Sequence, residues 1–278
     1  MSETGLHVRV DEGSGPPLVL LHGWSCHGGF FDPQIKAFSD KVRLLVPDLP
    51  GHGETGSRLP LTIEAAADAV SELITNRNLS AVTLCGWSMG AHVAYSYAER
   101  HGTDRLRQIV AIDMSPKVLN APDWPNGSLG GLDAGRNVHV LEAMVPDWPK
   151  LAPRVAERIF ARELVPDPEL LAFARQEIGN ADPNLLRPMW ASLTAQDFRS
   201  FLARLDIPLY LAFGARSALY GAGVHDWHAA NVPDVRLRLF DRSGHCPQLE
   251  EAVAFNTWLT DLLSKAGQDR EVATSGRT

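Results

Sequence analysis

The chain has 278 residues, 45% of them hydrophobic and 21% charged, and a net charge of −7. This composition is typical of one large globular domain, or of one domain with an insertion, and the negative charge argues against a nucleic acid or an anionic membrane as partner. No apolar run approaches the ~20 residues that cross a bilayer. The first five residues lack the features of a signal peptide, and three cysteines make no disulfide framework, so we expect a cytoplasmic protein.

The first 115 residues alternate between strand and helix patterns. Strands are predicted, in chain order, at 6–10, 17–21, 42–48, 81–85 and 106–112. The runs at 17–21 and 81–85 are wholly apolar, as in strands covered on both faces. A helix is predicted at 62–77 with Thr62 as its N-cap, and another begins after residue 90. This alternation indicates a parallel sheet with helices on both faces.

The alternation stops between about 117 and 204, where no strand is predicted. Helix-like stretches occur there near 135–145, 151–163, 168–179 and 194–204, and an insertion of this length predicts a helical cap over the site. Strands resume at 207–213 and 235–240, followed by a helix at 248–265. The predicted organisation is a core of residues 1–116 and 205–266, a cap of 117–204, and a disordered tail of 267–278.

A five-residue stretch between a strand and a helix carries the chemistry, Gly86-Trp87-Ser88-Met89-Gly90. A serine with a glycine two residues away on each side is the nucleophile-elbow pattern. The turn that lifts the serine hydroxyl above the sheet brings backbone segments so close that side chains at 86 and 90 would collide. The pattern also occurs by chance, so its partners must decide the interpretation.

A serine hydroxyl needs a base, usually a histidine oriented by a carboxylate. His245 directly follows the last predicted strand, at the edge where the active sites of open α/β sheets gather. The loop at 214–220, the usual position of the acid, contains no carboxylate. We therefore predict that Asp113, at the end of the strand after the elbow unit, orients His245. Asp226 is the competing acid.

The oxyanion of an acyl transfer needs two backbone N–H donors. We predict the amides of Met89, at a helix N-terminus, and of Trp24, in the loop after the strand at 17–21. Further candidates for contact with substrate are His22, which could instead organise its loop, and four tryptophans that could line a pocket or pack the cap against the core. These tryptophans are Trp87, Trp124, Trp148 and Trp190. We predict no metal site, because the histidines show no reliable metal-binding spacing.

Taken together, four motifs resemble the α/β-hydrolase superfamily over about residues 6–115 and 205–265. They are His22-Gly23-Trp24, Asp48-Leu49-Pro50-Gly51-His52-Gly53, the elbow, and Gly244-His245. The resemblance implies a mostly parallel sheet of eight strands with helices on both faces and a helical cap after the sixth strand. The missing carboxylate at 214–220 departs from the usual pattern, but some esterase-like members carry the acid after the sixth strand, which matches Asp113.

The leading hypothesis is a serine hydrolase that cleaves a small-molecule carboxylic ester, or a lactone or thioester, through an acyl-enzyme and without a cofactor. Cofactor-free oxygenases are similar to this chain in their His/Asp pair, and their histidine deprotonates the substrate directly. The elbow, with Trp87 and Met89 on either side of Ser88, looks more like that of esterases and perhydrolases. A ligand receptor on the same fold is a third hypothesis. The sequence specifies neither the acyl and alcohol groups nor the oligomeric state.

Overall fold

The computed structural model describes residues 5–275, with side chains described as far as residue 264. One sheet of seven strands has the order β1-β3-β2-β4-β5-β6-β7, and β1 alone pairs antiparallel. The strands are β1 (Val8–Glu12), β2 (Pro17–Leu21), β3 (Arg43–Pro47), β4 (Val82–Trp87), β5 (Leu106–Ile112), β6 (Leu209–Gly214) and β7 (Val235–Phe240).

The number of strands corrects one expectation. The family resemblance implied eight strands, whereas the described residues form seven, and these seven overlap the runs predicted from the hydrophobic pattern. Because the described residues form one strand fewer than the eight that the resemblance implied, the strand before the insertion is the fifth. The helical insertion and Asp113 therefore follow the fifth strand of this chain, β5, rather than its sixth.

The central strands are apolar throughout because both faces of the sheet are covered. In β2, Val19 and Leu21 join the core on one face, and Leu18 and Leu20 join the core on the other, as the alternation of side chains along a strand requires. The helices are α1 (Asp32–Phe38), α2 (Ile63–Asn76), α3 (Met89–His101), α4 (Ala134–Met144), α5 (Trp148–Arg158), α6 (Pro168–Asn180), α7 (Pro183–Ala195), α8 (Arg199–Leu202), α9 (Ala222–Asn231), α10 (Pro247–Glu250) and α11 (Ala252–Ser275). Helices α2 and α3 cover the first face, and α1 and α11 cover the second.

Helices α4 to α8 form the insertion between β5 and β6. All four predicted stretches overlap helices, the first three α4, α5 and α6, but the stretch at 194–204 is not a single helix. There the chain forms the end of α7, a break, and the single turn of α8. Helix α7 begins at Pro183 and contains Pro188, and an internal proline removes a helix hydrogen bond, so this stretch was not predicted as helical.

The last helix also differs from its predicted end. It continues to Ser275, beyond residue 265 and into the segment predicted as a disordered tail at 267–278. Residues 276–278 of that segment lie outside the described residues, as do the side chains after 264. Within the described residues, no helix combines the length and the apolar character needed to span a membrane.

Candidate active site

Ser88 lies on the sharp turn between β4 and α3. Its backbone has φ 52° and ψ −117°, a conformation that L-residues rarely adopt. A Cβ at Gly86 would lie 2.2 Å from the carbonyl oxygen of Gly90, and a Cβ at Gly90 would lie 2.1 Å from that of Leu21. Both positions therefore require glycine, and the strained serine is held by packing on either side of it.

His245 lies in the turn between β7 and α10, with 3% of its surface exposed. Its backbone amide donates to the carbonyl of Ile159 at 2.8 Å, and its own carbonyl accepts from Trp87 Nε1 at 2.7 Å. The imidazole Nδ1 lies 2.6 Å from Asp113 Oδ2. The insertion and the elbow thus hold the backbone of His245, and the carboxylate holds its ring. Bonding at Nδ1 leaves Nε2 as the nitrogen available for a base.

Asp113 directly follows β5 and is completely buried. Its backbone is in the left-handed region, with φ 43°, and its carboxylate also accepts hydrogen bonds from Ser217 Oγ at 2.7 Å and from the Gly214 amide at 3.3 Å. The competing acid, Asp226, is exposed on α9. The geometry therefore favours Asp113 as the partner of His245. Sequence reasoning missed Ser217, although the absence of a carboxylate at 214–220 was a signal to examine that loop.

The predicted oxyanion donors lie on the two segments that flank the serine. Met89 is the first residue of α3, where backbone N–H groups have no partner inside the helix. Trp24 follows β2 in a loop that packs against the elbow, since a Cβ at Gly23 would lie 3.4 Å from Ser88 Cβ. This placement supports the two amides as donors to an oxyanion at Ser88.

His22 is buried beneath this loop and organises it. Its Nε2 accepts from the Leu49 amide at 2.8 Å, which leaves Nδ1 to donate to the Gly23 carbonyl at 2.8 Å. Burial lowers the pKa of His22 to about 3, so the ring is neutral. His52 stabilises the same loop in a similar way, because its Nε2 accepts a hydrogen bond from the Ser25 amide at 3.0 Å. His22 is not in the wall of the cavity above Ser88, contrary to its place among the predicted substrate contacts.

Two adjoining cavities lie between the sheet and the insertion. The inner one, of about 140 Å³, is lined by Gly23, Trp24, Trp87, Ser88, Val155, Arg158, Ile159, Trp190, Leu219 and His245. The outer one, of about 400 Å³, shares Trp24, Val155, Arg158, Trp190 and Leu219 with it. The predicted nucleophile and base thus face one small, largely apolar chamber that shares five wall residues with a larger one.

Three of the predicted tryptophan contacts line these cavities, and one does not. Trp87 lines the inner cavity, Trp190 lines both, and Trp148 lines the outer one. Trp124 is buried elsewhere, where its Nε1 donates to the Lys117 carbonyl at 2.9 Å. It packs edge-on against Trp227 and lines neither cavity, so it is not positioned to contact a substrate there.

The described residues contain no group of three or more His, Cys, Asp or Glu side chains that could hold a metal ion. The three cysteines are all buried, and burial raises the pKa of each thiol well above its usual value. These thiols therefore stay protonated and poorly nucleophilic near neutral pH. In the wall of the inner cavity, Ser88 is the side chain that is suited to nucleophilic attack.

Known proteins resemble this chain along most of its length. The chain is 30% identical over 248 residues to a pimeloyl-[acyl-carrier protein] methyl ester esterase of Nitrosomonas europaea, covering 88% of this chain and 94% of the relative. It is 32% identical over 262 residues to the protein of the same name from Xanthomonas campestris, covering 89% and 94%. An esterase from Exiguobacterium antarcticum has the same fold, with a TM-score of 0.85 at 23% identity over 93% of this chain and 95% of that one. The model of the alpha/beta hydrolase family matches residues 18–258, and the chain belongs to this family.

Proposed function

We propose that the chain is a carboxylic ester hydrolase in which Ser88 is the nucleophile, His245 the base and Asp113 the acid. The observation that carries the proposal is the buried 2.6 Å contact between His245 and Asp113, beside a serine elbow in the wall of the same cavity. The relatives are named as methyl ester esterases, which supports the same reaction. A serine at the elbow suits ester cleavage through an acyl-enzyme.

The residues perform the reaction in two halves. His245 Nε2 takes the proton of Ser88 as Oγ attacks the ester carbonyl, and the amides of Trp24 and Met89 stabilise the negative oxygen that forms. The imidazolium, held by the Asp113 carboxylate, then donates its proton to the departing alkoxide, and the C–O bond breaks. In the second half His245 deprotonates a water that attacks the acyl-enzyme, which releases the acid and restores Ser88.

The two cavities support a finer proposal for the substrate. The methyl ester end of a seven-carbon pimeloyl chain would lie in the inner cavity at Ser88, and the chain would run into the outer cavity. The outer wall is largely apolar, with side chains such as Leu132, Val140, Met144 and Leu151. A small inner chamber suits methanol as the leaving group, and an apolar outer one suits a methylene chain.

The outer cavity also carries positive charge, and one of its arginines, Arg158, lines the inner cavity as well. Arg136, Arg154 and Arg158 line the outer cavity and are exposed. Arg136 and Arg158 bond to backbone carbonyls, which leaves their charge unneutralised there. An acyl carrier protein holds its acyl group on a phosphate-containing arm, and arginine is well suited to phosphate. We therefore propose that the carrier end of the substrate docks at these arginines.

Ester hydrolysis is tested with p-nitrophenyl butyrate and dimethyl pimelate, together with labelling by a fluorophosphonate probe. Wild type should turn over both esters and be labelled at Ser88, whereas Ser88→Ala should lose turnover and labelling. Oxygen-dependent turnover that persists in Ser88→Ala would instead support an oxygenase. A folded wild type that neither labels nor hydrolyses would support a receptor.

The carrier proposal is tested with methyl pimeloyl-acyl carrier protein and free dimethyl pimelate as paired substrates. Arg136→Glu and Arg154→Glu should raise KM for the carrier-linked ester about tenfold or more, and should leave KM for the free diester nearly unchanged. Arg187→Glu, on the exposed face of α7 and outside both cavity walls, is the matched control. Equal effects on both substrates would contradict docking at these arginines.

A further inference from the structure

Ser217 lies in the loop after β6 and takes no part in the proton transfers of the proposed reaction. This side chain is 1% exposed, and its hydroxyl lies 2.7 Å from Asp113 Oδ2, the same carboxylate oxygen that bonds to His245 Nδ1. It is not among the residues that line the two cavities. Ser217 therefore contacts the predicted acid without contacting the space available to substrate.

The surrounding backbone fixes the direction in which this hydroxyl donates. The amides of Leu219 and Tyr220 lie 3.1 and 3.3 Å from Ser217 Oγ and donate to it. A serine hydroxyl has two acceptor sites and one proton. With both acceptor sites occupied by amides, the proton is left for Asp113, which as a carboxylate can only accept.

The carboxylate depends on few groups for its orientation. Oδ1 accepts a long bond of 3.3 Å from the Gly214 amide, and Oδ2 accepts the two short ones, from Ser217 and His245. Two short donors at a single oxygen fix both the position and the plane of the group. Without Ser217, the only short partner left to orient Asp113 would be His245, the side chain that Asp113 must itself orient.

We propose that Ser217 is a positioning residue for ester hydrolysis, which holds the Asp113 carboxylate in the orientation that aligns His245. The inference rests on the proposed function. If Ser217 served only to stabilise the turn of its loop, the two hydrogen bonds from the Leu219 and Tyr220 amides to its Oγ would be sufficient. The additional bond from Oγ to a fully buried carboxylate is what links this loop to the catalytic histidine, because bonds to buried charges are stronger than those between neutral groups.

The test compares Ser217→Ala with wild type on p-nitrophenyl butyrate, with rates divided by the concentration of sites that a fluorophosphonate titrates. We expect kcat to fall about 10- to 100-fold, the usual scale for losing a hydrogen bond to a charged group, and KM to change little. The acid limb of the kcat/KM profile should move to higher pH, since a carboxylate with one donor fewer stabilises a protonated imidazole more strongly. The downfield proton resonance of the His245–Asp113 hydrogen bond should also move.

Two further substitutions at this position separate positioning from folding. Ser217→Thr keeps the hydroxyl and should restore kcat and the pH profile. Ser217→Cys, which has a similar size and a weak donor, should give an intermediate kcat. The matched control is Ser115→Ala, which removes a fully buried hydroxyl two residues from Asp113 that bonds to the carbonyls of Lys117 and Asn126 instead.

The outcomes distinguish this inference from the proposed function. If wild type hydrolyses the ester but Ser217→Ala keeps its kcat per titrated site and its acid limb, the positioning role is wrong and the proposed function stands. The same holds if Ser217→Ala and Ser115→Ala lower kcat equally with no shift of the resonance. If wild type itself shows no ester turnover, the proposed function fails, and the resonance then tests the contact between Ser217 and the His245–Asp113 pair on its own.

Discussion

At the scale of single residues, the acid of the site was the role for which the sequence offered two candidates, Asp113 and Asp226. The short contact of Asp113 with His245 favours it over Asp226, which is exposed on α9. We expect Asp113→Asn to lower kcat by roughly 10³- to 10⁴-fold, because an amide that presents its NH₂ group to Nδ1 favours the wrong tautomer of the histidine. Initial rates on p-nitrophenyl butyrate, per titrated site, provide the measurement.

The matched control for this prediction is Asp226→Asn, which removes the competing carboxylate. It should leave kcat and KM within experimental error of wild type. The reverse result, loss of activity in Asp226→Asn with activity kept in Asp113→Asn, would transfer the role to Asp226. Thermal unfolding of both variants shows whether a lost carboxylate acts on folding rather than on rate.

At the scale of elements, the elbow joins β4 to α3 where two backbone segments approach each other closely. A methyl group at Gly90 would lie 2.1 Å from the Leu21 carbonyl at the end of β2, so α3 would have to move away from the sheet. We expect Gly90→Ala to lower the melting temperature by several degrees and to abolish fluorophosphonate labelling of Ser88. Calorimetry and labelling measure the two effects separately.

Gly179, near the end of α6, is the control for the substitution itself. A Cβ there would have no neighbour within 4 Å, and alanine is the better helix former by roughly 1 kcal/mol. Gly179→Ala should therefore keep full labelling and leave the melting temperature unchanged or slightly raised. If both variants behaved alike, the close approach to the Leu21 carbonyl would not be the reason why position 90 requires glycine.

The same scale shows what a sequence can predict. The glycines at 86 and 90 indicated the elbow because their spacing has a local steric cause, and apolar runs indicated the strands. The contact of Ser217 with Asp113 could not be read in this way, since it joins the ends of β5 and β6 across 104 residues. Helix α7 was missed because Pro188 argues locally against a helix, whereas the burial of side chains such as Leu186, Met189 and Leu193 stabilises it.

At the scale of the whole molecule, buried histidines make the fold sensitive to acid. Burial lowers the pKa of His22 and His52 to about 3, and the pKa of His92 and His228 to about 4. In the unfolded chain these groups titrate near 6.5. Below that pH the unfolded state binds more protons than the folded state, so the free energy of unfolding falls as the pH falls from about 6.5 towards 4.

One half-buried carboxyl opposes this trend. Glu250 accepts from the amides of Ala161 in the insertion and Gly244 in the histidine turn, at 2.7 and 2.6 Å. Burial raises the pKa of Glu250 to about 7, above its ordinary value of 4.5. Between these two values the folded state holds a proton that the unfolded state has lost, so this group stabilises the fold increasingly as the pH falls through that window.

Near pH 5.5, these four imidazoles take up protons on unfolding and Glu250 gives one up, so these five groups together contribute a net uptake of about three protons. The free energy of unfolding should then fall by about 4 kcal/mol per pH unit, a large share of the ~5–15 kcal/mol that stabilises a typical domain. Urea unfolding at half-unit steps from pH 7 to 4.5 measures this slope. His228→Gln, on α9 and outside both cavity walls, should reduce it by about 1.4 kcal/mol per pH unit. A flat dependence between pH 6 and 5 would mean that these histidines are protonated in the folded protein, because only a group that changes its proton occupancy on unfolding contributes to the slope.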